Sequence, residues 1–140
     1  MPSRRRSRQR ALQILFLWDA RQQPADEVIN AYYDTLYSEE RPERDAFTAE
    51  LVRGTIAHAA QIDELISRHA AHWRIERMPA VDRNVLRLAV FEITYGGTPA
   101  AIAIDEALEL ARRFSNEESV QFVNGVLDAI HRSQSVPPGV

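Results

Sequence analysis

The sequence predicts an all-α fold, a bundle of about seven helices, from three observations. No Asn-Gly or Asp-Gly hairpin turn sits between alternating apolar runs. Pro24, Pro42, Pro79 and Pro99 cut the chain into helix-sized pieces. Within each piece the apolar residues return with the helical period rather than every second position. At 140 residues and 16.0 kDa the chain is the size of one domain.

The first helix is expected from about Arg5 to Gln22, with Ala11, Leu12, Leu15, Phe16 and Trp18 as its apolar side. A second piece, Asp26 to Ser38, carries Val28, Ile29, Tyr32, Tyr33 and Leu36. The stretch from Arg44 to His72 is long for one helix and should bend near Gly54 or His58. Its apolar positions are Phe47, Leu51, Val52, Ile56, Ile62, Leu65 and Ile66. The next helix starts with Pro79 in its first turn and stops at Gly96-Gly97. Val85, Leu86, Leu88, Ala89, Val90, Phe91 and Ile93 make it apolar on most sides, the mark of a central helix. Thr98-Pro99 reads as an N-cap and a first-turn proline. The helix after it, to Phe114, carries Ala103, Ala107 and Ala111 four apart, a stripe that permits close helix approach. The last helix follows Ser115-Asn116, has Glu117 and Glu118 in its first turn, and ends near Ser133. The domain limits read from this are a basic arm over 1–10, a helical domain over 5–133 and a frayed tail over 134–140.

Composition removes several function classes. The chain has no cysteine, which excludes disulfide staples, thiolate nucleophiles and iron–sulfur clusters. No apolar run is long enough to cross a bilayer, and a cytoplasmic protein is expected. All 17 basic residues are arginine. Arg4, Arg5, Arg6, Arg8 and Arg10 precede the first acid, Asp19, so a basic start leads an acidic body in a chain of net charge −3.

Catalytic signatures are missing: there is no Gly-rich phosphate loop, no GxSxG elbow and no HExxH. The nearest metal candidate is His69 with His72, with Asp63 or Glu64 a turn or two earlier; two imidazoles without a clear third ligand read as solvated surface. Glu39-Glu40 and Glu117-Glu118 are adjacent pairs that diverge on a helix. No cofactor, no metal and no enzymatic activity are expected.

The arginine cluster is the informative feature. Guanidiniums this close repel one another and gain little from folding, which argues against a structural role and leaves a solubilising tail or a nucleic-acid grip. Their planar forks bind phosphate bidentately or stack on bases. Arg6 and Arg10, four apart, share a helix face with Gln13, an arrangement suited to single-stranded RNA. If all five met phosphates the salt slope would reach about −3.5. Around the last helix junction, Arg112, Arg113, Phe114, Asn116, Gln121, Phe122 and Asn124 mix basic, aromatic and amide groups. Phe122 falls in the apolar pattern with Val123, Val126 and Ile130 and reads as core; Phe114, at a helix end, reads either way. Asn124 reads as a cap or a bridge between helices.

With these segments in order, the chain resembles the NusB family of bacterial transcription antitermination factors from about Arg5 to Ile130. The resemblance is carried by Arg-x-x-Ala-Leu-Gln-x-Leu-Phe across Arg8–Phe16, Ile62-Asp63, Trp73 and Val81-Asp82-Arg83-Asn84-Val85-Leu86-Arg87. Its strongest marks are Ala103-Ile104-Asp105-Glu106-Ala107 and Phe122-Val123-Asn124-Gly125-Val126-Leu127-Asp128. It implies an all-helical protein that binds boxA RNA, pairs with NusE, a small-subunit ribosomal protein, and helps RNA polymerase resist termination during ribosomal-RNA transcription. It implies RNA contacts at Arg5, Arg6, Arg10, Phe114, Glu118, Gln121 and Phe122. It implies a NusE surface at Asp82, Arg83 and Arg87, with Glu92 and Glu106 as further candidates. Glu118 and Gln121 stand where better-known members carry a shorter acid and a lysine.

Two rival readings remain at this stage. The same fold serves as an auxiliary domain of ribosomal-RNA cytosine methyltransferases, which would make this chain a fragment. Alternatively, apolar surface near Tyr32, Tyr33 and Tyr37 would make a homodimer.

Overall fold

In the computed structural model, which describes residues 3–35, 43–71 and 73–135, helix starts are set by caps and prolines. Helix α1 (Arg4–Arg21) begins at Ser3, whose hydroxyl accepts the Arg6 amide at 3.1 Å. It ends at Gln22, in the left-handed region at φ 56°. Helix α3 (Ala46–Ala57) is capped by Asp45, which accepts the Thr48 amide at 2.9 Å. Helices α2 (Ala25–Asp34), α5 (Ala80–Thr94) and α6 (Ala100–Phe114) each follow a proline directly. Pro79 and Pro99 therefore stand one position earlier than expected, and α2 starts at Ala25 rather than Asp26. Each of the three prolines holds an extended ψ, and its carbonyl accepts the first helical bond, from Val28, Arg83 and Ala103 respectively. Thr98 is not the cap that the sequence suggested; its hydroxyl donates to Glu92 at 3.0 Å. Asn116 does cap α7 (Glu117–Ser135), accepting the Ser119 amide at 2.9 Å.

The expected bend falls at His58, which separates α3 from α4 (Ala59–His69). A 3₁₀ turn, Ile75–Arg77, then leads to α5. Seven α-helices and no strand occur among the described residues. Helix α5 is central, packed by α1, α3, α4, α6 and α7 and buried almost continuously from Asn84 to Glu92. The alanine stripe of α6 is buried against its neighbours, as its spacing predicts. Leu36, Tyr37, Glu39, Glu40, Pro42, His72 and the 136–140 part of the tail lie outside the described residues.

Helix α1 departs from its expected face. Ala11, Leu12 and Leu15 are buried as predicted, and so are Ile14, Ser7 and Arg8, whereas Phe16 is 48% exposed. The buried side includes a charged residue, so apolar periodicity alone misplaces it.

Gly54 lets α3 and α5 meet: a Cβ there would lie 2.2 Å from two atoms of the Phe91 ring. Gly54→Ala is expected to cost about 1–3 kcal/mol through overpacking, read as a lower urea midpoint at unchanged slope. Phe91→Leu in the same chain should return part of the loss.

Candidate nucleic-acid interface

Part of the basic cluster belongs to the framework. Arg8 donates through Nε to both Glu92 oxygens, at 3.1 and 3.0 Å, and through Nη2 to Oε1 at 2.8 Å. The side chains are only 6% and 2% exposed. Arg10 reaches the Glu43 carbonyl at 3.0 Å and Asp45 Oδ1 at 3.3 Å. Asp45 also accepts from the Ser7 hydroxyl at 2.6 Å. Burial would raise the Asp45 pKa, but hydrogen bonds from Ser7 and Thr48 outweigh it and hold the carboxyl below its usual range. The expectation that these guanidiniums gain little from folding therefore fails for Arg8 and Arg10, because each finds an acid distant in sequence.

The residues grouped at the start of α5 do not form one surface. Arg87 is buried and donates to Asp63 through Nε and Nη2, at 2.8 and 3.0 Å. Its Nη1 serves Asp19 at 3.1 Å and Asn84 at 3.0 Å, and the guanidinium lies 5.3 Å from the centre of the Trp18 ring. Arg83 donates to Asp19 at 2.6 Å and to the Met78 carbonyl at 2.8 Å while remaining partly exposed. Burial pushes the Asp19 pKa up, yet hydrogen bonds from Arg83 and Arg87 prevail and the net direction is down. Glu92 and Arg87 are thus occupied inside the fold, and Glu106 faces Arg5 instead. Of that group, Arg83 keeps a solvent edge, and its partner Asp19 lies on α1 three positions from exposed Phe16.

The first turn of α1 presents Arg4, Arg5 and Arg6 to solvent. It contains no acid, so three cations crowd the positive end of a helix. This placement opposes the helix dipole by about 0.3–1 kcal/mol per charge at low salt. Arg4 stacks over Phe47 at 4.2 Å, and Arg6 has no side-chain partner among the described residues. Arg5 forms a two-point pair with Glu106, at 3.2 and 3.1 Å, which joins α1 to α6. Between these helices lies a pocket of about 290 Å³ lined by Arg5, Gln9, Glu106, Glu109, Arg112 and Arg113. Gln13 is turned to Tyr32, accepting its hydroxyl at 2.5 Å.

A second pocket of about 290 Å³ lies where the segment leading into α5 meets the start of α7. Trp73, Met78, Pro79 and Phe122 supply its apolar walls, and Asp82, Asn116, Glu118 and Ser119 its polar ones. Trp73 is 52% exposed and meets Phe122 edge-on, ring centres 6.1 Å apart. Phe122, read from periodicity as core, is only partly buried and turns one side to this pocket. Phe114 is partly buried on the core, with the Arg113 guanidinium 5.6 Å from its ring centre. Gln121 and Asn124 are exposed on α7, so Asn124 neither caps nor bridges helices. Sequence reasoning did not join Trp73 or Asp82 to Phe122; the chain separation hid that adjacency.

Of the histidine pair, His69 is described and His72 lies outside the described residues. His69 Nδ1 is 2.9 Å from the Leu65 carbonyl, Asp63 is engaged by Arg87, and Glu64 by Arg68. No group of three metal-binding side chains occurs among the described residues. Tyr32 and Tyr33 are partly buried against the core, and Tyr37, the third residue of the self-association reading, lies outside the described residues. No helix among the described residues is long and apolar enough to cross a membrane.

Residues 5–132 match the NusB family. The chain is 72% identical over 137 residues to the transcription antitermination protein NusB of Solibacter usitatus, covering 98% of this chain and 94% of that one. It is 47% identical to the protein of the same name from Koribacter versatilis, covering 93% and 89%. Among solved structures, it resembles T. maritima NusB at TM-score 0.80 and 34% identity, covering 94% and 92% of the two chains. It also resembles a chain in a crystal structure of antitermination factors NusB and NusE with dsRNA, at TM-score 0.80 and 28% identity, covering 93% and 96%.

Proposed function

Because this chain belongs to the NusB family, we propose that it is a non-enzymatic RNA-binding subunit that holds boxA-type RNA together with NusE, in the cytoplasm, and supports antitermination during ribosomal-RNA transcription. One observation carries the reading: the Arg5–Glu106 pair draws the start of α1 onto α6, so that Arg5, Arg112 and Arg113 line a common pocket. The two candidate regions lie at opposite ends of the sequence and share one surface. Cations at the positive end of α1 repel each other in the free protein, and a polyanion relieves that repulsion.

In this reading a single strand runs from the arginine pocket past the α6–α7 turn to Phe122. Arg5 and Arg6 take phosphates, Gln121 lies on the exposed side of α7, and Phe114, Glu118 and Phe122 border the bases. Arg10 and Gln13 support the arm through Asp45 and Tyr32. NusE docks on the face of α1 where Phe16 is exposed, three positions from Asp19, the partner of Arg83. Glu106 acts through Arg5, and Arg87 and Glu92 act by holding α5 in place. Joining RNA and a protein on one small scaffold raises the effective concentration of each for the other.

Replacing Arg5 and Arg6 together with glutamine is expected to weaken binding to a labelled boxA-like strand and to flatten the log–log salt slope by roughly 1.4, about 0.7 for each phosphate lost from a single strand. Fluorescence anisotropy at several salt concentrations measures both, with a scrambled strand of equal length as control. An unchanged slope removes these residues from the interface.

A further inference from the structure

We propose that the pocket between the segment entering α5 and the start of α7 is a nucleobase socket in which the Asp82 carboxylate accepts a hydrogen bond from the exocyclic amino group of one base. The chain then selects an amino-bearing base over uracil at that position. This rests on the RNA-binding reading above and adds what the pocket discriminates.

Asp82 is 4% exposed and lines the pocket. Its Oδ2 accepts the Ser119 hydroxyl at 3.1 Å, while its Oδ1 is buried with no hydrogen-bond donor. Among the described residues no cation pairs with it: Arg83 and Arg87, on the same helix, turn to Asp19, Asp63 and the Met78 carbonyl. Among the described residues, the other buried side-chain polar atoms without partners are the hydroxyls of Tyr33 and Thr55, which are neutral. A buried carboxylate oxygen without a donor is costly, so an unpaired one needs an explanation. A ligand that brings a donor supplies it.

The walls indicate what kind of donor. Trp73 and Phe122 offer aromatic walls, and the half-exposed indole forms the outer one. Planar bases stack on such faces with little dependence on sequence, so discrimination falls to the polar group beside them. An ionised carboxylate can only accept. Cytosine, adenine and guanine each present an exocyclic amino donor. Uracil presents one ring N–H between two carbonyl oxygens, which face the carboxylate with like polarity. Arg113, at the end of α6 on the arginine pocket, stands three positions before Asn116, which lines this one, so a backbone held by the arginines is within a short reach of it. That proximity favours a base over a side chain of a protein partner.

The test uses the full chain with equal-length oligocytidylate, oligouridylate and a strand of pyrimidin-2-one nucleotides, which are cytidines lacking the amino group. Anisotropy at one salt concentration should show oligocytidylate binding roughly ten-fold tighter than either other strand, the worth of a hydrogen bond to a charged acceptor. Asp82→Asn should bring the cytidylate-to-uridylate ratio close to one, because an amide can turn to accept from cytosine or donate to uracil. Oligouridylate binding should hold or improve as a negative charge is removed. The pyrimidin-2-one comparison needs no variant, so it decides the matter even if Asp82→Asn fails to fold. Tight binding of all three strands overturns the socket and leaves the RNA reading standing, whereas no binding of any strand overturns both. An intact base preference in Asp82→Asn with weakened NusE binding assigns Asp82 to the protein interface and overturns the socket.

Discussion

Glu92→Ala should lower folding stability by about 3–5 kcal/mol, because it leaves the Arg8 guanidinium buried and unpaired. Arg8 reaches Glu92 through three hydrogen bonds, and the Thr98 hydroxyl adds a fourth at 3.0 Å. Glu92 is the deeper of the partners and ties the start of α1 to the end of α5 and the loop before α6. Removing its carboxylate therefore strands a cation and takes away the acceptor of the Thr98 hydroxyl, while the Thr98 amide keeps its bond to the residue 92 carbonyl. Urea titration followed by helical circular dichroism measures the loss as a lower midpoint. The double variant Arg8→Met with Glu92→Leu should recover much of it, since a matched apolar pair has no charge to desolvate. A loss below about 1 kcal/mol in Glu92→Ala would show that Arg8 finds water when its partner is gone.

The second large effect is expected at Arg87. Arg87→Met should cost about 3 kcal/mol, the lower end of the range for breaking a buried pair, because Asp63 keeps some contact with solvent. The same substitution should alter the response to acid. Asp19 has its pKa lowered in the folded state: burial raises it, and hydrogen bonds from Arg83 and Arg87 more than reverse that. The unfolded chain consequently takes up the proton first as pH falls. The stabilisation from Asp19 is whole above about pH 4, the ordinary range of an aspartate, and disappears as pH drops through the lower folded value. Asp45, held low by Ser7, Thr48 and Arg10 against its own burial, acts in the same direction. Wild-type urea midpoints should fall as pH drops below about 4. Arg87→Met should show a shallower fall, and an identical profile would exclude Arg87 from setting the Asp19 pKa.

The architecture was largely legible before the structure. Proline spacing, the Gly96-Gly97 stop and the near-uniform apolarity of residues 85–91 point to a helical bundle around α5, because local punctuation and periodicity are properties of neighbouring residues. What escaped was pairing across distance. Nothing near Arg8 in sequence indicates Glu92, so a buried fork was read as part of a free arm. Asp19, an isolated acid after five arginines, turned out to organise Arg83, Asn84 and Arg87. Phe16 and Trp18 were assigned to one apolar side, yet α1 spends part of its buried arc on Ser7 and Arg8, which turns Phe16 outward. For the candidate interface, the arginines and Phe122 were visible as residue types. The socket was not, because Trp73, Asp82 and Phe122 come together only when the segment before α5 folds against α7.

The close seat of Phe91 on Gly54 has an evolutionary corollary. The ring occupies the place of an absent methyl, so the two sites should be inherited as a couple: a lineage that gains a side chain at one must first shrink the other. Order of substitution then becomes directional. Trimming the ring opens a tolerable void, whereas filling the notch first creates a collision. Drift at this helix crossing should run through the cavity-bearing intermediate, and libraries varying either residue alone should sample only half of the permitted pairs.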